Sequence, residues 1–205
     1  MGFYSRVIFP RLVEFVMRGV HLTELRKALL AGASGEVLEI GFGSGLNLPH
    51  YPPAVRKLTT IDANPGMSPL AQKRIASSPI KVDHQVLDAE RLPFPDGSFD
   101  TVVSTWTLCS IADIDQALQE IGRVLKPEGR FLFIEHGLSA EPTIQKWQHR
   151  LTPLQKKVAD GCHLDRDIAA IIARNRFKIA ELNRFYMKGA PRIAGFTYQG
   201  SALKS

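Results

Sequence analysis

The sequence predicts an α/β fold, in which a mostly parallel sheet carries helices on both of its faces. Three observations predict it. An apolar strand at 37–40 runs straight into three glycines at alternating positions, a second strand at 59–61 ends in an acid, and further strands and a capped helix follow as far as residue 136. A buried parallel strand is almost continuously apolar, and glycine lets the chain turn sharply where the strand ends.

The glycines after the first strand are Gly41, Gly43 and Gly45. A dinucleotide fingerprint has glycines at its first, third and sixth positions, so a pyrophosphate-binding loop would need glycine where this chain has Leu46. The spacing therefore favours a ligand without a pyrophosphate. Asp62 ends the second strand, where an acid can accept hydrogen bonds from two ribose hydroxyls. A plain strand-to-helix turn is the alternative, but strand, glycines, strand and acid occur in the order that a nucleotide site requires.

A third strand is predicted at 82–87, ending at Asp88-Ala89-Glu90, and a fourth at 101–104. We expect the third strand to lie beside the first, where an acid at its end can pair with the exocyclic amine of adenine. The residues that leave the fourth strand would then form the next wall of the cleft.

The helix after the fourth strand has clear end signals. Asp113 is a predicted N-cap, because Gln116 follows three residues later and apolar residues then recur with the spacing of one helical face. Pro127 and Gly129 end the helix. A fifth strand follows at 130–135.

At this point the chain resembles the class I S-adenosylmethionine-dependent methyltransferases, continuously over residues 35–136. The resemblance implies a Rossmann-like sheet of seven strands, completed by a helix at 167–174 and two final, antiparallel strands at 177–183 and 195–202. It implies S-adenosylmethionine as cofactor and S-adenosylhomocysteine as product. Glu39 and the glycines would hold the methionine part, Asp62 the ribose, and Asp88 with Ala89 the adenine. The complete predicted cofactor set is Glu39, Gly41, Gly43, Gly45, Asn47, Asp62, Ala63, Asp88, Ala89, Glu90 and Thr105.

The last third of the chain narrows the resemblance. Glu135-His136-Gly137, Trp147-Gln148 and Asp160-Gly161-Cys162-His163-Leu164 are similar to the branch of alkyl-thiol methyltransferases. A small thiol is therefore the leading acceptor. Two alternatives stay open: methylation of a quinone or phospholipid at a membrane surface, and a non-catalytic module that binds a cofactor or nucleic acid.

Three residues are candidates for removing a proton from the acceptor. His136 follows the fifth strand, at the sheet edge where ligands bind, and His163 lies with Asp160 in the later motif. The cysteines, Cys109 and Cys162, form no CxxC pair, so we expect neither a disulfide framework nor a zinc site, and no metal. Cys109 is expected to be a small buried core residue.

Length and composition predict one domain over 1–205. We divide it into an N-terminal helical segment or lid (1–34), a cofactor-binding core (35–136) and a region of substrate-side helices and final strands (137–205). The net charge of +6 is uneven: +3 over 1–35, −4 over 36–139 and +7 over 140–205. No base-reading or stacking motif accompanies the basic flanks, so we expect a small-molecule acceptor and no nucleic acid. The chain is expected to be a monomer or dimer.

The N-terminal segment is amphipathic. Ile8, Leu12, Phe15 and Val16 share one helical face, which could contact a membrane, cover the active site as a lid, or simply pack on the domain. No apolar run approaches the roughly 20 residues that span a bilayer. We therefore expect a soluble, cytoplasmic protein, with peripheral membrane contact through this helix as the open alternative.

Overall fold

Seven strands form one sheet in the computed structural model, which describes residues 2–205. In chain order the strands are β1 (Gly35–Ile40), β2 (Val55–Ile61), β3 (Val82–Gln85), β4 (Phe99–Thr105), β5 (Leu125–His136), β6 (Phe177–Tyr186) and β7 (Phe196–Lys204). Their order across the sheet is β3-β2-β1-β4-β5-β7-β6. The first five strands are parallel to one another, whereas β7 is antiparallel to both β5 and β6. The predicted fold class is confirmed.

Helices cover both faces of the sheet. They are α1 (Phe9–Val16), α2 (Val20–Leu30), α3 (Ser68–Ala76), α4 (Ile114–Val124), α5 (Pro142–Val158), α6 (Ile168–Arg174) and α7 (Arg192–Gly195), with a π-helical turn at Tyr4–Ile8 and a 3-10 turn at Leu48–His50. Side chains of α4 and α6 pack on one face, and side chains of α2 and α3 pack on the other. The sheet is therefore the middle layer of three.

Side chains that alternate along the central strands fill a hydrophobic core on each face of the sheet. In β5, Phe131 and Phe133 enter the core beneath α4 and α6, whereas Leu132 and Ile134 enter the core beneath α2. Successive side chains of a strand point to opposite faces, so a strand buried on both sides has to be apolar at almost every position. This explains why the predicted strands read as continuous apolar runs.

The predicted element boundaries are close to the observed ones, with a few differences. The Asp113 carboxylate caps α4 by accepting the amide N–H of Gln116 at 3.0 Å, as predicted. The third strand is shorter than predicted, and the fourth, fifth and last two strands are longer. The expectation that the third strand lies beside the first was wrong, because β3 pairs with β2.

The strand order reverses between β1 and β4, and this reversal positions the site. Chain connections leave β1 and β4 toward opposite sides, which opens a crevice outside the carboxyl ends of these two strands. The residues that follow β1, β2, β4 and β5 all meet at this edge of the sheet.

The N-terminal helix α1 has its apolar face turned outward. Leu12 is 50% exposed and Phe15 is 80% exposed, whereas the polar Glu14 faces the domain. The simplest expectation, that this amphipathic helix buries its apolar face on the domain, is wrong for these residues.

Candidate cofactor and acceptor site

The loop after β1 depends on glycine at two positions for different reasons. Gly41 has φ of +71°, and a Cβ there would lie 1.9 Å from Oγ1 of Thr107, so a side chain has no room. Gly43 has φ of +58°, but a Cβ there would meet only the carbonyl oxygen of Gly41, at 4.0 Å. The loop is therefore packed against protein at Gly41 and open on its other side at Gly43, which leaves backbone accessible to a ligand.

Asp62 reaches this loop from the end of β2. Its carboxylate accepts the backbone N–H of Gly43 at 2.7 Å and that of Asn64 at 2.8 Å. Burial raises the pKa of Asp62, and these two hydrogen bonds partly offset the effect. The acid and the glycines, predicted separately from the sequence, are thus in direct contact.

Glu39 is the centre of a buried polar cluster at the end of β1. Its carboxylate accepts hydrogen bonds from Asn47 Nδ2 and from the Tyr51 hydroxyl, both at 2.8 Å, and Asn47 Nδ2 also donates to Thr105 Oγ1 at 2.9 Å. Burial raises the pKa of Glu39 to about 7. Asn47 Oδ1 is buried and has no hydrogen-bond partner.

A buried cation lies on the same side of the sheet. Arg26 of α2 is only 4% exposed, and its guanidinium stands over the Trp106 ring at 4.8 Å from the centroid. Burial lowers the pKa of Arg26 to about 10, and Glu39 partly offsets that effect. Trp106 has φ of +53°, an uncommon conformation for a residue with a Cβ, and its indole Nε1 is buried without an acceptor.

These features fit the amino-acid part of S-adenosylmethionine. Its ammonium group needs acceptors, which Glu39 and Asn47 Oδ1 offer, and its carboxylate needs donors, which Arg26 and the Trp106 indole offer. Unpaired buried polar atoms are rare in native proteins and call for an explanation. A zwitterionic ligand explains both unpaired groups at once.

The adenine end of the predicted site is more open. Asp88 is exposed, and one of its carboxylate oxygens accepts the N–H of Glu90 at 3.0 Å. Ala89 is buried, and Ala63 after β2 is exposed. The Glu90 carboxylate accepts the N–H of Asp113 at 2.8 Å, which gives Glu90 a structural contact in addition to its predicted role.

The N-terminal segment covers this edge through polar contacts. Ser5 donates to Asp160 at 2.9 Å, and Asn64 Nδ2 donates to the Ser5 carbonyl at 2.7 Å. Further along, Glu14 accepts from the hydroxyl of Ser44 in the glycine loop and pairs with Arg74 at 2.7 Å. The segment is therefore bonded both to the loop after β2 and to the glycine loop.

A carboxylate on β5 fixes the loop after β4 through hydrogen bonds. Glu135 is completely buried and accepts hydrogen bonds from the Ser104 hydroxyl at 2.7 Å, the Thr107 amide at 3.1 Å and the Cys109 amide at 3.4 Å. Burial raises the pKa of Glu135, and these hydrogen bonds partly offset it. The carboxylate thus fixes the backbone where the chain leaves β4 at the crevice.

Beside this loop the structure brings Cys109, His136 and Cys162 together. Cys162 Sγ lies 3.4 Å from Cys109 Sγ and 3.4 Å from His136 Nδ1. All three residues are buried, and His136 Nε2 has no hydrogen-bond partner in the described part of the chain. Cys109 is buried, as expected, and its contact with Cys162 was not predicted from the sequence.

The other two proton-transfer candidates are not arranged as one motif. The His163 ring is partly buried with Nδ1 3.2 Å from the Cys109 carbonyl, and burial and then Arg166 lower its pKa. The Asp160 carboxylate instead contacts Ser5 and Asn64, near the end of β2. Trp147 on α5 is 50% exposed, whereas the Trp106 ring lies under the Arg26 guanidinium at the site.

Comparison with known proteins agrees with this geometry. Residues 38–133 match the family described as "Methyltransferase domain". These residues form a methyltransferase domain. Relatives include rat thiol S-methyltransferase TMT1B (36% identical, covering 75% of this chain and 65% of that protein) and human thiol S-methyltransferase TMT1A (38% identical, covering 74% and 64%). Another is phosphatidylethanolamine N-methyltransferase of Cereibacter sphaeroides (29% identical, covering 72% of each).

Solved structures support the fold. A complex between the Haloferax volcanii Trm112 methyltransferase activator and a methyltransferase contains a chain that superposes with a TM-score of 0.74 at 19% identity, over 98% of this chain and 96% of that chain. The chain spans just under two thirds of the length of the rat and human relatives. The family and fold imply S-adenosylmethionine as cofactor. Among residues 2–205, no helix has both the length and the apolar character needed to cross a bilayer.

Proposed function

We propose that this protein transfers a methyl group from S-adenosylmethionine to the sulfur of a small thiol. The observation that carries the proposal is the position of the buried Cys109–His136–Cys162 group at the carboxyl ends of β4 and β5, beside the polar cluster that fits the cofactor. The names of the rat and human relatives support the same acceptor class.

The cofactor's part is to supply a methyl group that is already electrophilic. The chain would contribute binding and orientation: Glu39, Asn47, Arg26 and the Trp106 indole around the amino-acid part, and the Asp62 carboxylate at the ribose. Holding two reactants in line removes most of the entropic cost of a bimolecular step. These residues therefore account for much of the expected acceleration.

The acceptor side has a second task, because the thiolate and not the thiol is the nucleophile. His136 and His163 both lie there, and the free Nε2 of His136 could accept the proton of an incoming thiol. The segment bonded across the crevice through Ser5 and Glu14 would exclude water during transfer.

The test is formation of S-adenosylhomocysteine by the purified protein with a panel of small thiols, quinols and phosphatidylethanolamine vesicles. Turnover with thiols alone is the expected result. Turnover only with quinol or lipid would leave the family assignment intact and contradict the proposed acceptor.

A second candidate is methylation at a membrane surface, favoured by the outward face of α1. Ile8, Leu12, Phe15 and Val16 are 47–80% exposed, and the exposed Arg6 and Arg11 lie on the same segment. An exposed apolar face flanked by arginines is typical of helices that lie in the interface of an anionic bilayer. The phosphatidylethanolamine methyltransferase among the relatives gives this candidate a substrate class.

Vesicle sedimentation separates this candidate from the first. If α1 docks on lipid, the protein should bind vesicles containing phosphatidylglycerol, and Leu12→Ser with Phe15→Ser should abolish binding. Val86→Ser is the matched control, because Val86 is 51% exposed on a different part of the surface. Indifference of the unmodified protein to lipid would remove the candidate.

A further inference from the structure

Three metal-binding side chains converge from three separate elements. Cys109 follows β4, His136 ends β5, and Cys162 lies in the turn after α5. One ligand atom from each lies within 4.8 Å of the others, and all three residues are buried. The backbone holds the two cysteine loops together, because the amide N–H of His163 donates to the Cys109 carbonyl at 2.8 Å.

We propose that these residues bind one zinc ion, with its fourth coordination position open to the sulfur of the acceptor. Zinc bonds of about 2.3 Å to sulfur and about 2.0 Å to nitrogen place tetrahedral ligands ~3.8 Å apart for two sulfurs and ~3.5 Å apart for sulfur and nitrogen. The corresponding distances here are 3.4 Å from Cys162 Sγ to Cys109 Sγ and 3.4 Å from Cys162 Sγ to His136 Nδ1. Both of these distances are within about 0.4 Å of the tetrahedral values, and every pair of ligand atoms lies within 4.8 Å.

The surrounding charges suit a zinc ion with two thiolates. Such a group is neutral, and its charged neighbours are the buried carboxylate of Glu135 and the guanidinium of Arg166, which also cancel. Buried charges in proteins are usually paired or bound to metals. Arg166 donates to the carbonyl oxygens of Leu108 and, at 3.3 Å, Ala112, so its charge is fixed beside the loop that carries Cys109.

The orientation of His136 is a further observation that points to a ligand. The ring turns Nδ1 toward Cys162 Sγ, 3.4 Å away, and Nε2 is buried with no hydrogen-bond partner among residues 2–205. Imidazole nitrogen and thiolate sulfur are both preferred ligands of zinc. Nδ1 is therefore placed to share one ion with this sulfur.

Three protein ligands and one open position are the arrangement of catalytic rather than structural zinc. A thiol that binds there replaces a water molecule and becomes a thiolate, and its proton passes to solvent. This role of the fourth position rests on the proposed function, whereas metal binding itself does not. In this arrangement the metal, instead of a histidine ring, ionises the acceptor.

The experiment measures zinc directly. We expect close to one zinc per chain by plasma mass spectrometry of protein purified without chelator, and a thiolate-to-cobalt absorption band after replacement by Co²⁺. Cys109→Ser and Cys162→Ser should each weaken zinc binding by more than the roughly 10–100-fold that loss of an outer-shell partner produces. His149→Ala is the control and should retain the metal, since His149 is an exposed residue that contacts Asp165.

The outcomes are distinct. A reduced protein that binds no zinc on titration and gives no cobalt band overturns the proposal, and so does a mass lower by two hydrogens, which indicates a Cys109–Cys162 disulfide. The cobalt spectrum of the unmodified chain keeps the test valid if the serine variants fail to fold. Zinc binding without thiol turnover would retain the site and contradict the proposed function, whereas thiol turnover by zinc-free protein would retain the proposed function and contradict the role of the fourth position in it.

Discussion

Glu39 is the single residue whose environment makes the sharpest prediction about pH. Burial raises its pKa from 4.5 to about 7. Between these two pH values the folded chain therefore keeps a proton that the unfolded chain has released. The stability it contributes is fully present below pH 4.5 and is lost as pH rises through 7, a change of about 3 kcal/mol. Glu39→Gln cannot ionise, and the free energy of unfolding of the cofactor-free variant should fall less over this interval.

Urea unfolding at several pH values between 4.5 and 8.5 measures the effect. Glu128→Gln is the control, because that side chain is exposed and lies outside the site. Parallel stability curves for the unmodified protein and Glu39→Gln would contradict the buried, protonated state of Glu39.

Asp62 makes a prediction about cofactor affinity. Asp62→Ala should raise the dissociation constant for S-adenosylmethionine, because each charge-assisted hydrogen bond to the ribose is worth about 1.5–3 kcal/mol. Asp62→Asn retains one acceptor oxygen for the Gly43 amide and should lose less. Calorimetric titration measures the affinity, and near-ultraviolet circular dichroism checks that the fold persists. An unchanged dissociation constant would remove Asp62 from the site.

For single residues, the sequence was most informative where a role requires one particular residue type. Gly41, Gly43 and Asp62 were predicted from spacing, and the structure brings the loop and the acid into contact. Arg26 was missed, because an arginine in an amphipathic helix is ordinarily exposed, and only the packing of α2 on the sheet buries it beside Trp106. The predicted roles of the site residues in binding and catalysis remain predictions.

At the scale of elements, the glycine loop allows a matched pair of substitutions. Gly41→Ala forces a Cβ into Thr107 at a positive φ and should destabilise the fold by several kcal/mol. Gly43→Ala meets open space, so it should cost only the roughly 1–2 kcal/mol of a left-handed residue while impairing cofactor binding. Urea unfolding and calorimetry of both variants check the two effects. Equal losses of stability would contradict this division of roles.

The contact between α1 and the glycine loop makes a second prediction at this scale. Glu14→Gln removes the charge that pairs with Arg74, which should loosen α1 from the loop. We expect faster amide hydrogen exchange over residues 9–16 and faster release of S-adenosylmethionine. Glu24→Gln is the control, since Glu24 is exposed and pairs with Lys27 within α2. Unchanged exchange in Glu14→Gln would show that other contacts hold α1.

Element types were more predictable than their surroundings. The strands and α4 follow from apolar periodicity and capping, which are local. The orientation of α1 does not, because its polar contacts to Ser44 and Arg74 come from distant parts of the chain and outweigh burial of its own apolar face. The same reason explains the position of β3, since periodicity does not specify which strands are neighbours.

At the scale of the whole molecule, topology creates what spacing does not reveal. Cys109 and Cys162 are 53 residues apart and match no metal or redox spacing, yet their sulfur atoms are 3.4 Å apart. They meet because β4 and β5 are parallel neighbours and the turn after α5 returns to the carboxyl end of both. A sequence motif records ligands that are close along the chain, so it misses a group assembled from three elements.

The unbroken seven-stranded sheet predicts how the molecule unfolds. β5 pairs with β4 on one side and with β7 on the other, so residues 137–205 share a sheet with the cofactor-binding core. Far-ultraviolet circular dichroism and tryptophan fluorescence should therefore give one common midpoint, since Trp106 lies in the core and Trp147 on α5. S-adenosylmethionine at about 100 times its dissociation constant should add about 2.7 kcal/mol and raise the midpoint by about 5–10 °C. Two separate transitions, with only one shifted by the cofactor, would contradict a single domain over 1–205.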